Sequence, residues 1–308
     1  MQKRYIFKIL LFMNNDFDDL TIIILTFKTD LNILEKCLSS INSTIKIFII
    51  ENSDNFIHRE GILDKYENVT IYCTGENLGY SNGNNFGINK VNTNYVLILN
   101  PDTICATNYF DNIKPYIQNK LNFSIIGSQY INETSFAPAG FFKKNLSMKN
   151  TKFKSDLHLY EVDWIVGCAM LIKLDEFKNK NIFDENFFLF FEEFDLCKKL
   201  KKNNKLVYSS PKLLVNHLGF KSSTRQVNEI DLIKLRSWHF MWSYFYYHKK
   251  NDGYFNAIKL TIGKVIRSIF KMIFYTIMNN EKKKILYKYR FLGAINSMSG
   301  KNSWFRIN

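Results

Sequence analysis

An α/β fold with a mainly parallel sheet covered by helices follows from three features of this sequence. Its strands are apolar along their whole length, helical patterns alternate with them, and polar residues gather where the strands end. Thr21 to Phe27 (TIIILTF) is a continuous β-branched run, the pattern of a strand buried on both faces. Asp30 is placed to cap the following segment, where Leu31, Leu34, Leu38 and Ile41 recur on one helical face. Ile45 to Ile50 (IKIFII) reads as the second strand, Val69 to Cys73 as the third and Tyr95 to Leu99 (YVLIL) as the fourth. The Gly/Asn-rich stretch Asn77 to Asn89 leads into a short helix between the last two. Gly127 to Asp163 has weaker periodicity and is expected to contain loops that shape the substrate side. In such sheets ligands lie beyond the carboxyl ends of the strands, where Glu51 to Asp54 and Asn100-Pro101-Asp102 stand here.

The 308 residues suit one large domain with an appendage, and 46% hydrophobic content excludes a disordered chain. Five scattered cysteines, with no CxxC pair, fit neither a disulfide framework nor a zinc site, so a cytoplasmic compartment is expected. The apolar run after Lys3 and Arg4 is too short to span a membrane, and residues 1–19 read as an N-terminal extension. Residues 20–228 then form the main domain and 229–308 a helical, basic region. From Ile230 onward fifteen basic residues face three acids, which accounts for +12 of the formal charge of +14. Charge confined to the tail argues against a nucleic-acid reader, so no nucleic-acid partner is expected.

Three segments point to chemistry. Asn77 to Gly87 places three glycines and four asparagines in eleven positions, which permits close backbone approach to a ligand; a tight turn at a helix start explains it as well. At Leu99-Asn100-Pro101-Asp102 a buried strand stops at a proline and presents Asp102 at the sheet edge, where a carboxylate can hold Mg²⁺ or Mn²⁺ against a diphosphate. A turn-forming Pro-Asp is the plainer alternative. Phe183 to Cys197 sets acids in an aromatic wall, and Glu192, Glu193 and Asp195 open a helix there. Glu192 and Glu193 diverge by about 100° around the axis, so one can face a cleft while the other anchors the helix. His217 at a strand end, and Trp164 beside the small Gly167 and Ala169, have ordinary structural readings of their own.

Together these segments, in order over about residues 20–225, resemble the inverting glycosyltransferases of family two, in particular the rhamnosyltransferase-like branch. Glu51-Asn52-Ser53 resembles the nucleotide-contacting turn, with Glu in place of Asp. Asn77-Leu78-Gly79 and Gly83 to Ile88 follow the glycine/asparagine segment, and Leu99 to Asp102 looks like a version of the metal-binding DxD motif. Gly167 to Leu171 resembles the small-residue segment by the donor sugar. Phe183 to Cys197 is similar to the FDE…FF…ED-x-DLC run, whose second acid, here Glu193, is the usual base.

The resemblance implies a GT-A fold, a nucleotide-sugar donor such as dTDP-rhamnose or a UDP-sugar, and a saccharide or lipid-linked acceptor in cell-surface polysaccharide synthesis. It assigns Glu193 as catalytic base. It assigns donor and nucleotide contacts to Thr26, Glu51, Asn52, Asn77, Gly79, Asn85, Asn100 and Gly167. Trp164, Glu192 and Asp195 would wall the acceptor side, and Asp102 with His217 would hold Mg²⁺ or Mn²⁺. The missing glycine fingerprint after the first strand argues against a nicotinamide-dependent oxidoreductase. A non-catalytic binding protein on the same fold is the alternative. In the tail, Ile258, Ile262, Ile266, Phe270 and Phe274 form a helical stripe among lysines and arginines. That stripe either docks on the inner face of an anionic membrane or packs on the domain.

Overall fold

The computed structural model describes residues 16–119, 121–132, 135–136, 139–140, 153–154, 158–218 and 228–307. Most of the expected N-terminal extension, residues 1–15, lies outside them. The first half alternates strand and helix: β1 (Leu20–Thr26), α1 (Leu31–Ser39), β2 (Lys46–Glu51), α2 (Arg59–Lys65), β3 (Val69–Cys73), α3 (Gly79–Lys90) and β4 (Tyr95–Leu99). Next come β5 (Thr103–Cys105), α4 (Tyr109–Gln118), β6 (Ile125–Asn132), β7 (Ser135–Phe136), β8 (Ala139–Gly140), β9 (Phe153–Lys154), β10 (Leu159–Glu161), β11 (Trp164–Ile165) and β12 (Ala169–Lys173). The rest comprises α5 (Glu192–Lys202), β13 (Val207–His217), α6 (Glu229–Asp252), α7 (Tyr254–Ile277) and α8 (Glu281–Met298).

The sheet runs β3-β2-β1-β4-β12-β6-β13-β10-β9, with β5 added on β13 and β7 on β6. β1 to β4 pair in parallel, so Thr26, Glu51 and Leu99 end at one edge. Successive residues of β1 serve opposite layers. Ile22 and Ile24 pack with Leu34 of α1 and Ile113 of α4, whereas Ile23 packs with Ile88 of α3 and Leu196 of α5. That two-sided burial is why the strand is apolar throughout. Asp30 caps α1 through the Asn32 amide at 3.0 Å.

Beyond β4 the sheet is mixed, not mainly parallel: β12 is antiparallel to both β4 and β6, and β13 runs antiparallel to β5 and β10. A strand buried on both faces shows no direction in its composition, so AMLI at Ala169–Ile172 gave no hint of the reversal. The stretch expected to contain loops also holds most of β6. Its pattern is obscured by buried polar residues that are hydrogen-bonded in place, such as Ser128 Oγ at 2.7 Å from Tyr109 Oη. The glycine/asparagine stretch does not precede a helix but forms α3 itself. A Cβ at Gly83 would crowd Leu25, and one at Gly87 would crowd Ile50 and Ile23, so close seating on β1 and β2 overrides the low helix propensity of glycine.

The C-terminal helices join the domain through α6. Ser243 Oγ donates to the Leu189 carbonyl at 2.8 Å, and Tyr246 Oη donates to Asp184 at 3.1 Å. Gly293 of α8 lies so close to α6 that a Cβ there would overlap the Trp238 carbonyl. Gly253, at φ +88°, turns the chain between α6 and α7.

Candidate active site

A cavity of about 670 Å³ opens at the carboxyl edge of the parallel strands. Four groups of residues line it: Thr26 and Asn52 from the strand ends, Asn77 to Tyr80, Asn100 to Asp102, and the Phe188–Glu193 segment. Gly167, Cys168 and His217 complete the side next to β12 and β13.

The floor is set by hydrogen bonds behind it. The buried Glu51 carboxylate accepts from Thr26 Oγ1 at 2.6 Å, Ser53 Oγ at 2.7 Å and the Lys28 amide at 3.2 Å. It ties the ends of β1 and β2 together and does not reach the cavity wall. Asn52 does reach it: its Nδ2 donates to Asn77 Oδ1 and the Gly79 carbonyl, and its Oδ1 accepts from the Leu78 amide at 3.0 Å. Gly79 has φ +78°, and a Cβ there would overlap the Phe188 carbonyl, which accepts from the Tyr80 amide at 2.7 Å. This position needs glycine for its φ and for that approach.

Asp102 and His217 meet because β5 pairs with β13, setting His217 opposite Thr103. His217 Nε2 lies 3.3 Å from Asp102 Oδ1, and Asp102 is only 2% exposed. Asn100 lines the cavity beside them, its amide held by the Cys168 carbonyl at 2.9 Å. Among the described residues no group of three or more His, Cys, Asp or Glu converges as a metal site. A carboxylate with one imidazole nevertheless suits a divalent cation whose remaining ligands are diphosphate oxygens and water.

The N-terminus of α5 lines the same cavity. Phe190 and Phe191 precede it with φ +69° and +70°, a left-handed backbone that costs bulky residues energy and recurs at functional sites. Glu192 is buried, and its Oε2 has no hydrogen-bond partner. Burial, then the neighbouring Glu193 charge, pushes the Glu192 carboxyl well above the usual range; burial pushes Glu193 up to about 7. Two adjacent carboxyls in an apolar wall thus retain a proton near neutrality, a state suited to proton transfer. Gly167 borders them: a Cβ there would be in ordinary contact with the Glu193 side chain at 3.7 Å, and its carbonyl accepts from Tyr80 Oη at 2.7 Å.

Other expected site residues lie elsewhere. Trp164 stacks on Phe194 with ring centroids 4.6 Å apart, away from the cavity lining. Asp195 faces the C-terminal helices, accepting from Lys250 Nζ at 2.6 Å and Asn251 Nδ2 at 3.0 Å. Asn85 binds both the amide and the carbonyl of Phe183, fastening α3 to the segment that carries the acids.

The cavity is also lined by Leu232, Leu235 and Arg236 from α6, a helix that was not expected to reach it. Burial lowers the Arg236 pKa and the Asp102 charge raises it, which records their proximity. The region expected to be an appendage therefore supplies one wall. From farther along the chain, Arg306 lies 3.7 Å over the Phe188 ring and His239 stacks on that ring, bracing the acid-bearing segment.

The model of the family described as Glycosyl transferase family 2 matches residues 21–177. The chain is 28% identical over 198 residues to the low-salt glycan biosynthesis hexosyltransferase Agl10 of Haloferax volcanii, covering 61% of this chain and 63% of that protein. It is 26% identical over 191 residues to the rhamnosyltransferase WbbL of Escherichia coli, covering 54% of this chain and 71% of that protein. The alignment thus spans less than two-thirds of the Haloferax relative's length. Among solved structures, GalNAc-T7 with UDP, GalNAc and Mn²⁺ superimposes with a TM-score of 0.54 at 13% identity, over 76% of this chain and 50% of that one.

Proposed function

This chain belongs to glycosyl transferase family 2 and has a GT-A-like fold, and from that premise we propose that it moves a sugar from a nucleotide-sugar donor to a saccharide or lipid-linked saccharide in cell-surface polysaccharide synthesis. The donor belongs to the dTDP-rhamnose or UDP-sugar class, and the anomeric configuration inverts. One observation carries the reading: a raised-pKa carboxylate, Glu193, and the Asp102–His217 pair line the same cavity at the strand ends.

The nucleotide rests against Thr26, Asn52 and Asn77, and the sugar lies by Gly167. Glu193 takes the proton from the acceptor hydroxyl as that oxygen bonds to the anomeric carbon on the face opposite the nucleoside diphosphate. The bond from that carbon to the diphosphate oxygen breaks, and the electron pair leaves with the diphosphate. Arg236 meets the charge that develops there. Asp102 and His217 would hold a divalent cation, Mg²⁺ or Mn²⁺, which would supply further electrostatic stabilisation to the leaving group. Glu192, kept neutral by burial, stabilises the neighbouring anionic Glu193.

The test is a panel of nucleotide sugars offered with Mg²⁺ or Mn²⁺ and saccharide or lipid-linked saccharide acceptors. Nucleoside-diphosphate release and the product anomer are followed together. Turnover of one donor class with an inverted linkage is expected. Binding of a nucleotide sugar without any turnover would instead identify a non-catalytic member of the fold.

A further inference from the structure

α7 meets the protein through small side chains and turns its bulky ones outward. Its buried residues are Ala257, Thr261, Val265 and Ser268, one seam along the helix, and Val265 packs with Met241 of α6 and Ala294 of α8. Ile262, Ile266, Phe270, Ile273, Phe274 and Ile277 are exposed, Phe270 by 68% and Ile277 by 78%. A helix serving only as packing would bury these six, so the stripe does not pack on the domain. Contiguous exposed apolar surface of this kind marks an interaction site.

The charges beside it select the partner. α7 contains no acid. Lys264, Arg267 and Lys271 follow at three- and four-residue spacing along one edge of the apolar strip, and Lys282, Lys283 and Lys284 open α8 next to it. Two copies meeting through this face would oppose two cationic rows, which disfavours self-association. Lipid phosphates complement those rows while acyl chains receive the isoleucines and phenylalanines. No helix among the described residues is long and apolar enough to cross a membrane.

The strip also lies at the right end of the protein. Lys282 pairs with Glu229 and Gly293 abuts Trp238, so α8 runs alongside α6 in the same direction. Tyr275 stacks on Tyr287 of α8, which sets the C-terminal half of α7 level with the first half of α6, the part that lines the cavity.

We propose that the outer face of α7 seats the protein on an anionic lipid surface, with the helix lying in the plane of the interface and the cavity held near the headgroups. The docking is independent of the reaction; its use, sharing one surface with a lipid-linked acceptor, rests on the function proposed above. The experiment is co-sedimentation of the full chain with vesicles of phosphatidylcholine alone or mixed with phosphatidylglycerol, at low and high salt. No donor is present, so the result does not depend on catalysis. Binding to the anionic vesicles should be at least about ten-fold stronger and should weaken with salt. Ile266→Asp with Phe270→Asp should abolish it with the melting temperature unchanged, and so should Lys264→Glu with Arg267→Glu and Lys271→Glu in protein that keeps its native far-UV circular dichroism. Equal binding to both vesicles, or binding undiminished in either variant, would overturn the proposal. So would a dimer in light scattering that the apolar variant dissolves, in place of vesicle binding.

Discussion

His217 Nε2 stands 3.3 Å from the Asp102 carboxylate, although 115 positions separate them in the chain. The β5–β13 pairing brings them together in the cavity lining. Neither alone suffices for a cation, and together they leave positions for substrate oxygens. His217→Ala should therefore weaken Mn²⁺-dependent binding of nucleoside diphosphate roughly 10- to 100-fold, and Asp102→Ala at least as much. Titration calorimetry with and without EDTA measures both. Affinity that ignores EDTA in the native protein would mean that protein groups alone hold the diphosphate.

Arg236 brings a positive charge to the cavity from α6, outside the segment that the family model matches. Arg236→Ala should lower kcat/KM for the donor about 10- to 100-fold, mainly through kcat, the loss of a hydrogen bond to a charged group. Arg236→Lys should recover part of it. A variant with native KM and kcat would remove Arg236 from the leaving-group site.

Gly79 supports both a positive φ and the approach of Phe188. Gly79→Ala should cost about 1–3 kcal/mol from backbone strain alone, and the overlap with Phe188 should shift the acid-bearing segment. Thermal unfolding and donor turnover should both fall. An unchanged melting temperature would show that the loop yields freely.

Glu192 is favoured in its neutral form when folded, because burial and the Glu193 charge raise its pKa. Its contribution to stability is complete below the ordinary carboxyl pKa and is lost as pH rises through the raised value. Glu192→Gln, neutral at every pH, should therefore gain stability over the native protein at pH 8 more than at pH 5. Denaturant midpoints at the two pH values decide it, and an equal difference at both would show that Glu192 is ionised when folded.

Much of this arrangement was legible from residues alone. β3 and β4 run over the stretches their apolar patterns marked, and the start of α5 at Glu192 follows from acids that complement a helix N-terminus. Asp102 and Glu193 were expected in a cleft and do line one. Direction was harder to read. A polar residue in a sheet-end turn announces a need for hydrogen bonds without saying whether protein or ligand meets it. Glu51 spends its carboxylate on Thr26 and Ser53, and Asp195 spends its own on Lys250 and Asn251. Arg236 was hidden for the opposite reason: only the packing of α6 brings a residue from the basic tail into the cavity. The stripe on α7 was visible, but its facing depended on the small residues between its members.

The most direct test of the whole account is the pH profile of sugar transfer by the native protein and by Glu193→Gln, with donor affinity measured alongside. Because Glu193 must be ionised to accept the acceptor proton and its pKa is raised to about 7, native kcat/KM should rise with pH through about 7 and fall away on the acid side. Glu193→Gln should lose about 10²–10⁴-fold in kcat and lose that rise, while binding donor as the native protein does. Near-native turnover in a folded Glu193→Gln protein, or an unaltered pH profile, would contradict the account.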